Sequence, residues 1–169
     1  MKFNMAEKDN LSSEQSSIFF GYEKKQHNSE IKEIFLDSKI VQSIKEDDEA
    51  VIVLSETPFY AESGGQVGDT GIIECENGTF KVLDTQKKNE AIFHIGKVKN
   101  GQIKVSDGAT LIIDKRRRAA IAGSHSATHL LHAGLRKILG DHVQQRGSLV
   151  EAGRLRFDFS HNKPVTQDQ

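Results

Sequence analysis

Two histidines, His125 and His129, stand four residues apart in a run whose residues favour a helix. Residues at this spacing lie about 40° apart around a helix and one turn along it, so the two imidazoles face the same way. Neutral imidazole is a common zinc ligand, and the spacing therefore predicts half of a metal site. The alternative is a solvated polar face that happens to carry histidine. A metalloprotease is disfavoured, because Ser126 stands where that motif needs a glutamate as general base.

The helix around these histidines is predicted to have an apolar back and an imidazole-rich front, which His132 and Arg136 share. Ser124 is the predicted N-cap, and Gly140 is the predicted left-handed C-cap. We expect the apolar back to anchor the helix in a core. It consists of Ala127, Leu130, Leu131, Gly134, Leu135 and Ile138.

The composition excludes several classes of protein. The 169 residues are 36% hydrophobic and 28% charged, which is typical of a soluble protein with a modest core. A net charge of -1 gives no global attraction to nucleic acid, so any RNA contact must come from a local patch. The single cysteine, Cys75, excludes an intrachain disulfide. Neither a membrane span nor a signal-peptide core is recognisable, and we expect a cytoplasmic protein.

The distribution of apolar residues divides the chain into three parts and predicts the α+β class. Residues 1–30 are mostly polar and are predicted to be a linker or the end of a preceding domain, partly disordered. Residues 31–113 contain short apolar runs separated by turn signals such as Asn77-Gly78 and Asn100-Gly101. This pattern is typical of a small, mostly antiparallel β-barrel.

Residues 114–169 begin with the basic run Lys115–Arg118, which either contacts phosphate or forms a solvated first helical turn. We favour the helical turn. After the histidine helix, Gln145–Val150 and Leu155–Phe159 are predicted to form a hairpin. One helix on one hairpin buries little area, so this part is predicted to be truncated.

Three motifs, in this order and with these spacings, resemble the editing region of alanyl-tRNA synthetases and, less closely, the related free-standing alanyl-tRNA editing proteins. The resemblance covers most of the chain, from about Phe20 to His161. The motifs are Thr57–Gly71, with its Ser-Gly-Gly-Gln centre, the His-Ser-Ala-Thr-His run of the helix, and His142–Val150 followed by Arg154–His161.

The resemblance implies a hydrolytic function. Editing regions of this family cleave the ester that joins serine or glycine to the acceptor end of the alanine tRNA. A pocket sized for alanine discriminates poorly against one methyl group fewer or one hydroxyl more, so a second, hydrolytic step is needed. The parent synthetase would ligate alanine to the tRNA with ATP through a domain that nothing here resembles. The oligomeric state stays open.

The resemblance also implies zinc, held by His125, His129 and a downstream Cys-x-x-x-His motif. That motif is absent from this sequence, and Cys75 does not match it. Two of four ligands would hold the metal weakly, so the site is expected to be partial and readily emptied. The C-terminal part is accordingly interpreted as the first portion of an α/β-sandwich editing subdomain that stops before the site is complete.

Four further residues match family positions. Thr128 corresponds to a threonine that senses the serine side chain, and Gln145 to a glutamine that positions substrate or water. Gly64 and Gly65 match a glycine motif near the pocket and the tRNA end, where glycine permits close backbone approach.

Two other functions remain open: a non-catalytic tRNA-binding module, which the missing ligands and the near-zero charge favour, and a free-standing editing hydrolase. His94 and His142 are interpreted as structural histidines.

Overall fold

The computed structural model describes Leu11–Gln169, so the first ten residues of the predicted linker lie outside the described part of the chain. The chain divides into two compact units. Within the described residues, the barrel unit comprises residues 11–62 and Gly68–Lys115, and the helix unit comprises Ser63–Val67 and Arg116–Gln169. The first is built from antiparallel strands and the second from a helix and a hairpin, which confirms the α+β class.

The strands of the barrel unit are β1 (Ile18–Phe19), β2 (Gln26–Leu36), β3 (Lys39–Val41), β4 (Ser43–Lys45), β5 (Glu49–Leu54), β6 (Glu56–Thr57), β7 (Gly71–Cys75), β8 (Gly78–Lys88), β9 (Ala91–Lys104) and β10 (Gly108–Ile113). Six of them close into a ring in the order β2, β5, β9, β8, β7, β10, and β10 returns to pair with β2. Every pair in the ring is antiparallel, and closure removes the exposed sheet edges that would invite aggregation.

Strand β5 is packed on both of its faces, and this burial stabilises the ring. Its side chains alternate between two buried clusters, so the run of apolar residues from Ala50 to Leu54 is buried on both faces. Ile52 points into the main core together with Phe59 and Phe80. Val51 and Val53 belong to a second cluster, which also contains Phe35, Phe93, Ile95, Ala91 and Leu11.

Leu11–Glu30, which the composition suggests is a linker, contributes to the barrel unit. Leu11 is buried in the second cluster, and β1 pairs in parallel with β6. Strand β2 already begins at Gln26. A low average hydrophobicity concealed this because β2 starts with the polar residues Gln26–Glu30, which pair with β10.

The two Asn-Gly signals behave differently. Asn77-Gly78 forms the predicted hairpin, since Cys75 and Gly78 close the pairing of β7 with β8. The turn predicted at Asn100-Gly101 is wrong, because β9 runs without interruption from Ala91 to Lys104. Gly101 has a φ of 72° within that strand, beside a register irregularity between β8 and β9. Asn-Gly therefore marks a β-bulge here instead of a hairpin turn.

The helix unit contains α1 (Lys115–Leu139) and the antiparallel hairpin β11 (Gln145–Glu151) and β12 (Arg154–Phe159). The hairpin and the helical turn at Lys115–Arg118 are confirmed. The N-cap predicted at Ser124 is wrong, because α1 starts earlier and Ser124 lies inside it. Asp114, a favoured N-cap type, directly precedes the helix. Gly140 does end the helix, with a φ of 117° and its N–H bonded to the Arg136 carbonyl.

The expectation that the leucine stripe anchors α1 in a core is not met in the described chain. Leu130, Leu131 and Ile138 are exposed by 74%, 41% and 57%, and the buried residues of the helix are Ile121 and Thr128. Within the described residues the helix unit offers a single two-stranded sheet, which is too small to cover a whole helix face. None of the helices in the described residues combines the length and apolar character that crossing a bilayer requires.

His94, on β9, is a fully buried histidine in the barrel unit, as predicted for a structural residue. Its Nδ1–H donates to the Ile52 carbonyl at 3.0 Å, and its Nε2 accepts from the Thr57 hydroxyl at 2.7 Å. The Phe59 ring packs edge-on against it, with centroids 5.3 Å apart. Burial lowers the pKa of His94 to about 4, because the charged form would lose its hydration.

The low pKa of His94 makes the stability of the barrel unit pH-dependent. The unfolded chain binds a proton near the ordinary value of 6.5 while the folded chain does not, so stability is full above pH 6.5 and falls toward pH 4. We expect the free energy of unfolding to drop by about 2 kcal/mol between pH 7 and pH 5 from this residue alone. The measurement is urea unfolding of the wild-type chain and of His94→Gln at both pH values.

His94→Gln should remove this share of the pH dependence, whatever its effect on stability at pH 7. The matched control is Ile73→Val in the same core, which should cost about 1 kcal/mol at both pH values and keep the full decrease. An undiminished decrease in His94→Gln would contradict the assignment.

Candidate active site

The two histidines of α1 face each other across one helical turn. The Nε2 atoms of His125 and His129 are 3.0 Å apart, and their ring centroids are 4.8 Å apart. Both side chains belong to exposed residues. The spacing in the sequence therefore does bring the two imidazoles together, with the same nitrogen of each ring turned toward the other.

The second ring nitrogen of His125 has a partner from a distant part of the sequence. Nδ1 of His125 lies 3.0 Å from Oε1 of Gln66, which is 59 residues away along the chain. An amide oxygen only accepts hydrogen bonds, so Nδ1 carries the proton in this contact. This bond ties the orientation of the His125 ring to the position of Gln66.

A short turn, Ser63–Gln66, holds Gln66 in place. Ser63 and Gln66 exchange two backbone hydrogen bonds of 2.9 and 3.1 Å, and the residues between them are the two glycines of the motif. Gly64 has a φ of 59° and Gly65 a φ of 84°, a left-handed conformation that glycine adopts without a steric penalty.

This turn docks on strand β11. The Val150 N–H donates to the Gly65 carbonyl at 2.7 Å, and the Val67 N–H donates to the Val150 carbonyl at 3.2 Å. Gly65 also lies directly against Ser148: a Cβ on Gly65 would stand 2.4 Å from the Ser148 carbonyl oxygen. A Cβ on Gly64 would meet nothing within 4 Å. Only Gly65 is thus required by close packing as well as by backbone conformation.

Gln145 joins the same group of residues through Ser148. Its side-chain amide donates to the Ser148 hydroxyl at 3.0 Å, from the first residue of β11. A register irregularity between Gln145 and Gly147 marks this end of the hairpin. The structure therefore links Gln145 to the Gly65 contact, although the two lie far apart in the sequence.

Thr128 is one of the two buried residues of α1. Its hydroxyl donates to the Ser124 carbonyl one turn earlier, at 2.9 Å. Threonine commonly makes this bond in helices, and it fixes the side-chain rotamer. The hydroxyl oxygen keeps its capacity to accept a hydrogen bond.

The donor set suits half of a zinc site. Two nitrogens that each bind zinc at 2.0–2.1 Å in tetrahedral geometry are separated by about 3.4 Å, close to the 3.0 Å between the two Nε2 atoms. Within Leu11–Gln169, no group of three or more His, Cys, Asp or Glu residues is placed to hold a metal ion. His125 and His129 thus fit as two ligands of a site whose remaining donors are not grouped with them.

Cys75 does not supply a third donor. Burial and, to a smaller extent, the negative charge of Asp107 together raise the pKa of its thiol to about 11. A thiol with this pKa remains protonated near neutral pH, whereas zinc binds the thiolate.

The other histidines of the helix unit take different positions. The His132 ring lies against Phe157, with centroids 5.3 Å apart, and its Nε2 is buried without a hydrogen-bond partner. His142 stacks on His161, and Nε2 of the first is 2.8 Å from Nδ1 of the second. His142 is therefore satisfied by a side chain, as expected for a structural histidine.

Sequence reasoning missed two residues of this site, Gln66 and Ser148. Both lie inside motifs that were recognised, but neither was given a role. The available signal was position: Gln66 directly follows the glycine pair, and Ser148 lies in the same strand as Gln145. The contact between these motifs in the folded chain could not be predicted from their spacing in the sequence.

The glycine pair offers a matched test of the docked turn. Gly64→Ala is strained only by its backbone angle and should weaken the turn by about 1–2 kcal/mol. Gly65→Ala adds the clash with Ser148 and should cost at least about 3 kcal/mol. The measurement is hydrogen exchange of the Val150 amide, which donates to Gly65. Equal protection in the two variants would show that the close approach to Ser148 does not hold the turn.

Comparisons with known proteins agree with the motifs. Residues 1–117 match the family described as tRNA synthetases class II (A). The chain is 50% identical over 150 residues to an alanine–tRNA ligase of Dichelobacter nodosus (strain VCS1703A), covering 89% of this chain and 17% of the relative. It is 47% identical over 168 residues to an alanine–tRNA ligase of Idiomarina loihiensis, covering 99% and 19%.

The chain therefore spans less than a fifth of the length of these two relatives. The family match covers more than half of the chain and ends at residue 117. Most of the histidine helix lies beyond that residue, so the match does not depend on it. On this evidence, the chain belongs to the class II tRNA synthetase (A) family, that of the alanyl-tRNA synthetases.

Proposed function

We propose that this chain is part of the editing region of a cytoplasmic alanyl-tRNA synthetase, and that its helix unit takes part in hydrolysing tRNA(Ala) wrongly charged with serine or glycine. The whole enzyme would join alanine to tRNA(Ala) using ATP. The observation that carries the proposal is the convergence of the His125–His129 pair with Gln66, next to the docked glycine turn.

The chemistry of these groups suits ester hydrolysis. Zinc, when bound by Nε2 of His125 and His129 with donors from outside this group, would polarise an ester carbonyl or lower the pKa of a water molecule. Glycine backbone at Gly64 lets a nucleic-acid end approach closely, since no side chain stands there. These features give the site a role in binding the aminoacyl end as well as in hydrolysis.

Two side chains can provide selectivity and positioning. The Thr128 hydroxyl already donates to Ser124, so its oxygen is set to accept a hydrogen bond from a serine hydroxyl, which alanine lacks. The Gln145 amide donates to Ser148, and its carbonyl oxygen can accept a hydrogen bond from a water molecule or from the ribose of the tRNA end. We propose that Thr128 senses the substrate and that Gln145 positions it.

The test is deacylation by a full-length ligase that contains this sequence. His129→Ala should slow the hydrolysis of Ser-tRNA(Ala) by about 100-fold or more, equivalent to about 2.7 kcal/mol of transition-state stabilisation. Charging of the tRNA with alanine should be unchanged, because the variant leaves the ligation chemistry intact.

The matched control is Lys137→Ala, on the exposed last turn of the same helix, which should retain deacylation. Unchanged hydrolysis in His129→Ala would refute the part in editing that is proposed for the helix unit. The alternative is a non-catalytic tRNA-binding module. It would be favoured if the full-length His129→Ala variant also kept normal affinity for tRNA(Ala), and if the 169-residue wild-type chain bound this tRNA without hydrolysing its aminoacyl ester.

A further inference from the structure

We propose that Gln66 is the positioning residue of the histidine pair: its side-chain oxygen selects the tautomer of His125 that leaves Nε2 bare and facing His129. The biological purpose of this role rests on the proposed function, whereas the contacts from which it is inferred do not. It gives the glycine motif a role beyond close packing, namely to place one amide oxygen against one ring nitrogen.

The proton arrangement follows from the two contacts of His125. A neutral imidazole carries one N–H, on either Nδ1 or Nε2. If the proton were on Nε2, bare Nδ1 would face the Gln66 oxygen at 3.0 Å, and two acceptors would repel each other. If the proton is on Nδ1, that N–H donates to Gln66 and Nε2 is free to accept from His129 at 3.0 Å. Only the second arrangement satisfies both contacts.

The orientation of Gln66 is set by its backbone. Gln66 forms an isolated parallel bridge with Val150 and an antiparallel one with Ser63, and its side chain is half-buried. The turn that ends at Gln66 is docked on β11 through Gly65 and Val67. Because the backbone of Gln66 is fixed by these hydrogen bonds, its side chain loses less conformational freedom on binding the imidazole than a side chain on a mobile segment would.

This arrangement has a general chemical consequence. A histidine that binds metal through Nε2 usually donates its other N–H to an oxygen, which orients the ring and makes the ligating nitrogen more basic. His125 has this partner, whereas among the described residues the ring of His129 has no hydrogen-bond partner besides His125. The two histidines therefore differ in their hydrogen bonding, and His125 is the one whose ring is already oriented to bind a metal ion through Nε2.

The direct test is nitrogen NMR of the 169-residue chain without metal, at a pH where the imidazoles are neutral. The His125 ring should show a protonated Nδ1 and a bare Nε2. Gln66→Leu removes the acceptor and Gln66→Asn is one methylene too short to reach, so in both the Nε2–H form of His125 should gain population. Gln66→Glu keeps an acceptor at the same reach and should retain the wild-type tautomer.

Two controls keep this test interpretable. Gln144→Leu changes a glutamine of the same unit whose backbone, but not side chain, is hydrogen-bonded to Ser160, and it should leave the tautomer unchanged. Protection of the Val150 amide from exchange should persist in each variant, which shows that the turn is still docked. A wild-type His125 with its proton on Nε2, or a tautomer unaffected in both Gln66→Leu and Gln66→Asn, would overturn the inference.

A second readout uses zinc alone as the probe, in the full-length ligase. Zinc affinity, measured by competition with a chromogenic chelator, should fall about 10- to 100-fold in Gln66→Leu and less than about tenfold in Gln66→Glu. The failures are distinguishable: unchanged Ser-tRNA(Ala) hydrolysis in His129→Ala refutes the role of the helix unit in editing and leaves the tautomer result standing. Equal zinc affinity in wild type and Gln66→Leu contradicts the positioning role even if editing is intact.

Discussion

The contact between Gly65 and the Ser148 carbonyl is the constraint on which the candidate site depends. No side chain fits between these two backbones, so the turn from Ser63 to Gln66 can lie flat against β11 and exchange hydrogen bonds with Val150. Through that contact, a segment of five residues separated from α1 by the second half of the barrel supplies a side chain to a helical histidine. The chemistry of the pair on α1 thus depends on backbone packing elsewhere in the unit.

The barrel unit and the helix unit are held by different physical means. In the barrel unit, closure of the six-stranded ring and two apolar clusters bury a polar group, His94, with both ring nitrogens satisfied. In the helix unit, few side chains are buried and the defining contacts are hydrogen bonds between the turn, the hairpin and α1. Apolar burial gives stability, while directional bonds fix the positions of reactive groups.

Much of the secondary structure could be predicted because its signals are local. Alternating or continuous Val and Ile runs identify the strands, Asn77-Gly78 identifies a hairpin, and Gly140 identifies the end of the helix. The errors arose where a local signal has two structural outcomes. Asn100-Gly101 forms a bulge inside β9, and the polar start of β2 was hidden by its composition.

For the site, the spacing of His125 and His129 was sufficient to place two nitrogens together, since both lie on one helix. Gln66 could not be found in this way, because its distance to His125 is set by the pairing of Gly65 with Val150, a contact between motifs far apart in the chain. The leucines of α1 show a different shortcoming of sequence reasoning. Their periodicity indicates that one helix face is apolar, but it does not indicate which residues cover that face.

The discontinuity of the helix unit has a practical consequence for dissecting the protein. A recombinant piece covering only residues 116–169 would lack the backbone partner of Val150 and the amide that orients His125. Isolating this unit with its docked turn intact would instead require a permuted gene, or a short peptide containing Ser63–Val67 supplied in trans to complement the missing segment.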